Sequence, residues 1–294
     1  MSSSAAALQA ASPAPAPEAL PRLLAGIPAR GAMGLEEHLQ RHGALPPQPP
    51  RRRRSEPPLI EQVEQAGLLG RGGGAFSAAR KLRSVAAAHR RPVVLVNAAE
   101  GEPASLKDRT LMASLPHLVL DGGELAALAL GAREVIVCVC ASARASAEST
   151  AAAIAQRRGS GVSVRLQVMP DHYLSGQESA LVSYVDGGAL LPTFTPPLPF
   201  ERGVARRPTL VSNAETLAHL ALIARHGPDW FRELGTASQP GSALVTLWGP
   251  VAHPGVYEIE YGASLSSLIE AAGGATRAVR AALLGGYAGS WIDG

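Results

Sequence analysis

From residue 58 onward, short apolar runs alternate with longer stretches of helical character. Residues 58–67 predict a short helix, and 77–90 predict a second one carrying Arg80 and Lys81. Residues 92–97 are apolar, rich in β-branched side chains and bounded by polar ones, the pattern of a buried strand. Helices are expected over 108–114, 118–131 and 142–158, and strands over 134–140 and 162–169. This β–α–β alternation predicts an α/β fold: a Rossmann-like, mainly parallel sheet with flanking helices. A helix over 176–185, a Pro-rich loop over 191–199, and residues 209–213 leading into a helix at 215–225 follow. Residues 226–241 read as a linker. From Ser242 the character changes, and 243–248, 255–260 and a helix at 265–272 predict a small β-plus-helix module.

The N-terminal part is different. Residues 1–20 are rich in Ala, Ser and Pro and read as disordered. Residues 35–42 predict a short helix, which the prolines at 46–50 terminate. Arg51, Arg52, Arg53 and Arg54 form a charge run, read as a solvated linker block, with contact to an acidic partner or nucleic acid as the alternative. The expected organisation is therefore a disordered or linker extension over 1–56, an α/β domain over 57–238 and a small domain over 239–294.

Charge and composition narrow the function classes. Residues 1–56 hold seven Arg and four Glu, so the net charge of +3 resides there and the rest of the chain is neutral. With only 4% aromatic residues and no basic face implied on the folded part, a nucleic-acid role is disfavoured. Cys138 and Cys140 alternate along one apolar strand, so both thiols fall on one face and read as buried and inert. There is no CxxC, hence no cysteine-held zinc or iron–sulfur site. No signal-peptide pattern opens the chain, and no uncharged apolar run reaches the roughly 18 residues of a membrane span. The expectation is a cytoplasmic protein without a transmembrane segment.

The chemistry concentrates in two stretches. Residues 67–82 read GLLGRGGGAFSAARKL, with Gly70, Gly72, Gly73 and Gly74 around Arg71. Glycines let a backbone approach a ligand closely, and the N–H groups of such a loop can cradle a phosphate. The dinucleotide fingerprint needs a preceding strand, and here a helix precedes. Residues 93–109 read VVLVNAAEGEPASLKDR. Together these stretches resemble the flavoprotein (51-kilodalton, NADH-oxidising) subunit of respiratory complex I and its relatives in soluble NAD-linked hydrogenases and formate dehydrogenases. That family carries a GLRGRGGAGF-type loop followed by an NADEGEPGTFKDR-type loop. Two further stretches, HYLSGQESAL at 172–181 and RPTLVSNAET at 207–216, match its later motifs in order. Residues 249–274 match the family's soluble-ligand-binding β-grasp domain. The helical domain that follows in the family holds a 4Fe–4S cluster through a CxxCxxC motif, which has no counterpart here, so the chain reads as truncated before it.

The resemblance implies bound FMN, with NAD(H) as the second nucleotide and no catalytic side chain or metal ligand, because hydride transfer needs alignment more than acid–base help. It assigns Gly70, Gly72, Gly73 and Lys81 to the FMN phosphate region. Asn97, Glu100, Tyr173, Gly176, Gln177, Glu178, Val211, Asn213 and Thr216 are assigned to the rest of the flavin. Phe76, Glu102 and Glu178 are assigned to the nicotinamide nucleotide. The chain departs from the family at Ala99 (Asp), Gln177 (Glu), Thr195 (Lys), Leu198 (Phe) and Ser212 (Asn). The leading expectation is an FMN-dependent NADH-oxidising module that passes electrons to an acceptor protein or iron–sulfur partner subunit. The alternative is a degenerate, non-catalytic member acting as a ligand- or protein-binding module.

Overall fold

The computed structural model describes residues 20–48, 57–88, 90–157 and 161–293. The arginine run and most of the alanine-proline leader fall outside these. Strands β1 (Val93–Ala98), β2 (Glu134–Cys140), β3 (Ser163–Met169) and β4 (Thr209–Asn213) form one parallel sheet in the order β3-β2-β1-β4. The run read as 209–213 leading into a helix is thus the fourth strand, paired with β1 in the register Leu95 with Val211 and Asn97 with Asn213.

Both faces of the central strands are buried, and their apolar runs sort by alternation. Val94, Val96, Val135 and Val137 enter the larger core, beneath helices Pro116–Leu130 and Ala214–His226. Val93, Leu95, Ile136, Cys138 and Cys140 enter the smaller core on the opposite face, with Leu181 of helix Glu178–Val185. Burial pushes the Cys138 thiol up to about 12, so the two cysteines are packing residues, as expected. Gly122 lets the two large helices touch: a Cβ there would lie 1.9 Å from the Leu217 carbonyl oxygen.

Two segments differ from the sequence-based expectation. Residues 226–241 are not a linker. They contain the short helix Pro228–Arg232, and Phe231 is 1% exposed with its ring edge on His219 at 5.3 Å. Nor are residues 20–48 a disordered extension, because Leu23, Leu24 and Met33 are buried in the main core and His38 of helix Leu35–His42 is buried with them. The apolar periodicity over 20–45 is weak, and only the helix at 35–42 follows from it.

Polar anchors explain the order of this segment. Glu258 Oε2 accepts the backbone N–H groups of Arg22, Leu23 and Leu24 at 2.8, 2.8 and 3.0 Å. At the other end, buried Asp121 accepts hydrogen bonds from Arg157 and Arg225 and lies 2.7 Å from His38 Nε2. Burial alone would raise the Asp121 pKa, but His38 and the two guanidiniums outweigh it and hold the carboxyl down at about 2.

The C-terminal module pairs β5 (Ser242–Leu247) with β6 (Gly255–Glu260), and β7 (Ala281–Leu284) with β8 (Ser290–Asp293), as two antiparallel ribbons. Helix Leu265–Ala271 covers a small core of Val251, Tyr257 and Ala272. Among the described residues, no helix is long and apolar enough to cross a membrane.

The Asp121 cluster sets an acid limit on stability. Burial holds His42 and His117 near pH 4, below the unfolded value of 6.5. A depressed folded value contributes stability that is complete above the unfolded pKa and lost as pH falls through the folded one. The melting temperature should therefore fall from pH 6.5 to 4, and fall further towards pH 2 as Asp121 is protonated. The double variant His42→Gln/His117→Gln should flatten the upper part of this profile; an unchanged slope between 6.5 and 4 would contradict the assignment.

Candidate functional site

The glycine loop leaves helix Pro58–Ala66 and returns to helix Ala78–Ala86, closed at its base by Gly70 N–H donating to the Phe76 carbonyl at 2.8 Å. Gly73 has φ +103°, which an L side chain rarely adopts, and Ala75 sits in the left-handed region at φ +46°. Gly72, Gly73, Gly74 and Ala75 donate no well-formed hydrogen bond to other described residues. Arg71 N–H is committed to Thr216 Oγ1 at 2.9 Å.

Below the loop lies a cleft of about 150 Å³ at the carboxyl ends of β1 and β4. Ligands sit at that end of the strands in open α/β sheets. The structure brings ten of the assigned residues to its lining: Gly70, Gly72, Phe76, Lys81, Asn97, Gly176, Glu178, Val211, Asn213 and Thr216. Ser212 lines it too, and Leu82, Leu210, Leu217 and Leu220 give it an apolar wall. Lys81 and Glu178 form an ion pair across the cleft. Asn97 Nδ2 donates to the Gly176 carbonyl at 2.8 Å, tying the end of β1 to the turn before helix Glu178–Val185.

Other assigned residues are engaged elsewhere. Glu100 turns to the start of helix Lys107–Ser114, where its carboxylate accepts N–H groups from Asp108 at 3.3 Å and Arg109 at 3.2 Å and the Ser105 hydroxyl. Burial, then the nearby Asp108 charge, push its pKa up. Gln177 caps helix Glu178–Val185 through Ala180 N–H at 2.7 Å. Glu102 accepts Tyr287 N–H at 3.1 Å in the C-terminal module. Tyr173, 58% exposed, and Gly73 are not among the residues that line the cleft. The Pro-rich loop over 191–199, which holds the family departures Thr195 and Leu198, does not line the cleft, and Phe194 there is 98% exposed.

Sequence reasoning passed over the charges beneath the cleft. Lys107 Nζ lies 2.9 Å from Asp108 Oδ1 and 3.0 Å from Glu215 Oε2, and it donates to Asn213 Oδ1 at 3.4 Å. Asn213 Nδ2 donates to Asp108 Oδ2 at 2.7 Å, and its Oδ1 accepts Glu215 N–H at 3.1 Å. This network holds the Asn213 amide in one orientation. Burial disfavours the Lys107 charge, but Asp108 and Glu215 outweigh it and raise its pKa. Burial in turn raises Glu215, against the attraction of Lys107. The signal was in the KDR triplet at 107–109, which reads on its own as an exposed helix start.

The network yields a prediction with a sign. Replacing Lys107 by Met leaves buried carboxylates without their cation, at a cost of about 3–5 kcal/mol. The folded pKa of Glu215, already raised, then rises further, and a raised carboxylate loses its stabilisation as pH increases through the folded value. The melting-temperature deficit of Lys107→Met should be larger at about pH 8 than at about pH 5. Equal deficits at both would show that the ammonium is not the counter-ion.

Comparison with known proteins places these features. The Nuo51 FMN-binding domain model matches residues 63–222, and the SLBB domain model matches 244–286. The alpha subunit of the NAD-reducing hydrogenase HoxS of Cupriavidus necator is 34% identical over 249 residues, covering 80% of this chain and 41% of that subunit. An NADH-quinone oxidoreductase subunit of Rhizobium meliloti is 34% identical over 244 residues, covering 78% of this chain and 58% of that protein. A crystal structure of an NAD+-reducing [NiFe]-hydrogenase in the H2-reduced state superposes with a TM-score of 0.73 at 32% identity, covering 82% of this chain and 43% of that one. The chain thus spans about half the length of the relatives it matches.

Proposed function

We propose that this chain, which belongs to the family of the Nuo51 FMN-binding domain, is an FMN-holding redox module that takes electrons from NADH and passes them to a partner protein in the cytoplasm. The observation that carries the reading is the row of uncommitted amides at Gly72, Gly73, Gly74 and Ala75, set over a cleft at the ends of β1 and β4. The cradle fits a phosphate-bearing flavin. No atom lies within 4 Å of a Cβ added to Gly73 or Gly74, while one on Gly72 would reach the Asn213 side chain at 3.4 Å and begin to fill the cleft. Uncommitted amides with a cation nearby form an anion site without a dedicated ion pair.

FMN, when bound, supplies the two-electron chemistry that turns a hydride donor into a source of single electrons. The chain's own residues would do the rest. Gly72, Gly73 and Gly74 amides would meet the phosphate, and Lys81 would exchange Glu178 for it. Asn97, adjacent to Asn213 in the β1–β4 register, would present its remaining amide N–H to a polar ring edge, while the Asn213 amide stays engaged with Lys107, Glu215, Asp108 and the Asn97 carbonyl. Leu210, Leu217 and Leu220 would exclude water from its apolar part. Glu100, Glu102 and Gln177 would act by fixing the loops that carry these groups.

One observation favours a second reading, in which the flavin is kept but NADH is not oxidised. The Pro-rich loop over 191–199 contains no charged side chain, with Thr195 and Leu198 where the family has a cation and an aromatic.

The visible spectrum of the purified protein separates these readings. A flavin band that bleaches on adding NADH without oxygen is the expected result. A band that resists NADH but yields to dithionite would support the second reading. No band, even after incubation with FMN, would overturn both.

A further inference from the structure

The C-terminal module reaches the cleft through one strand. Along β5 and the residue after it, every second position engages the α/β domain, reaching three segments of it. The Ser242 carbonyl accepts Arg71 Nε at 3.2 Å. Leu244 N–H donates to Glu215 Oε1 at 2.8 Å. Thr246 Oγ1 accepts Leu106 N–H at 2.9 Å. Trp248 Nε1 donates to the Ala104 carbonyl at 2.6 Å. Alternate residues of an extended strand are spaced by about 6.8 Å, so these two main-chain and two side-chain contacts fall at regular intervals along β5 and the residue after it.

The segments so engaged are those that build the cleft. Arg71 belongs to the glycine loop. Ala104 and Leu106 lead from Asn97 into the helix that carries Lys107. Glu215 follows Asn213 and precedes Thr216, both in the cleft lining. None of residues 242–248 lines the cleft itself. The other side of β5 is occupied by β6, with Val245 opposite Tyr257.

Arg71 shows how far the structure goes to make this connection. Its guanidinium is buried, which lowers its pKa, and it bonds to the backbone carbonyls of Leu69, Pro240 and Ser242 with the Tyr261 ring 4.7 Å away. A cation serving a ligand phosphate would point into the cleft. This one is spent on holding the loop against β5, and its own N–H fixes Thr216.

We propose that β5 is the positioning strand of the cleft. It holds the glycine loop, the turn before Lys107 and the start of helix Ala214–His226 in mutual register, so that the C-terminal module governs cofactor affinity without lining the site. This inference rests on the FMN reading for its ligand but not for its mechanical content.

The test uses the full chain with Thr246→Val, which removes the hydroxyl at nearly constant shape, and Thr246→Ser, which retains it. In the ligand-free protein, exchange of the protected amides of Gly70, Arg71 and Glu215 is followed by hydrogen–deuterium exchange. Thr246→Val should accelerate all of them, about tenfold, the size of one lost hydrogen-bond acceptor, with Thr246→Ser close to wild type. Acceleration confined to residues 104–110 would overturn the proposal, because the contact would then be purely local. FMN titration supplies the second readout: Thr246→Val should weaken binding about fivefold or more and Thr246→Ser should restore it. Unchanged affinity in Thr246→Val, measured beside a wild type that binds FMN, would also overturn it. A wild-type chain that takes up no FMN would sink the functional reading instead, and the exchange data would still decide this one.

Discussion

The parallel pairing of β1 with β4 is the constraint on which the site depends. It sets Asn97 beside Asn213 at the carboxyl ends of adjacent strands, where each leaves its strand for a different loop. Both strands are buried on two faces, so a slip of one residue would exchange the side chains entering the two cores and is strongly disfavoured. The register therefore fixes the cleft floor before any polar contact is made. The polar contacts then remove the remaining freedom: Asn97 is tied to Gly176, and Asn213 to Asp108 and Lys107.

Burying Lys107, Asp108 and Glu215 together is expensive in desolvation, and a buried ion cluster is weak evidence of a stability gain. Its value lies in orientation. An amide such as Asn213 presents donor and acceptor at nearly the same place, and only surrounding groups of known polarity decide which one faces the cleft. The ammonium at its oxygen and the Asp108 carboxylate at its nitrogen fix which end is which, and with Glu215 N–H and the Asn97 carbonyl they use up its hydrogen bonds. A second buried cluster around Asp121 performs a different task, joining residues 20–48 to the far side of the same helices.

Much of this was legible in the sequence, because the features involved are local. The strands at 93–98, 134–140 and 163–169 announce themselves as apolar runs, and the glycine loop and Asn97 stand in contiguous motifs. What was not legible depends on distant partners. Arg71 looks like a solvated loop cation until Pro240 and Ser242 are placed beside it. Glu100 looks like a ligand-facing carboxylate until the first turn of helix Lys107–Ser114 arrives at its oxygens. Leu23 and Leu24 belong to a weakly periodic stretch, and their burial goes with an anchor more than 200 residues away at Glu258. The role of β5 emerges only when four such long-range bonds are seen to fall on alternate residues.

The central claim is that the glycine loop and the strand ends form one flavin site. Amide chemical shifts recorded while FMN is added to the labelled protein test it most directly. The account predicts that Gly72, Gly73, Gly74 and Ala75 amides and the Asn97 and Asn213 side-chain amides shift together along one saturating curve. Shifts that leave these groups unmoved, whether absent altogether or confined to another surface, would contradict it.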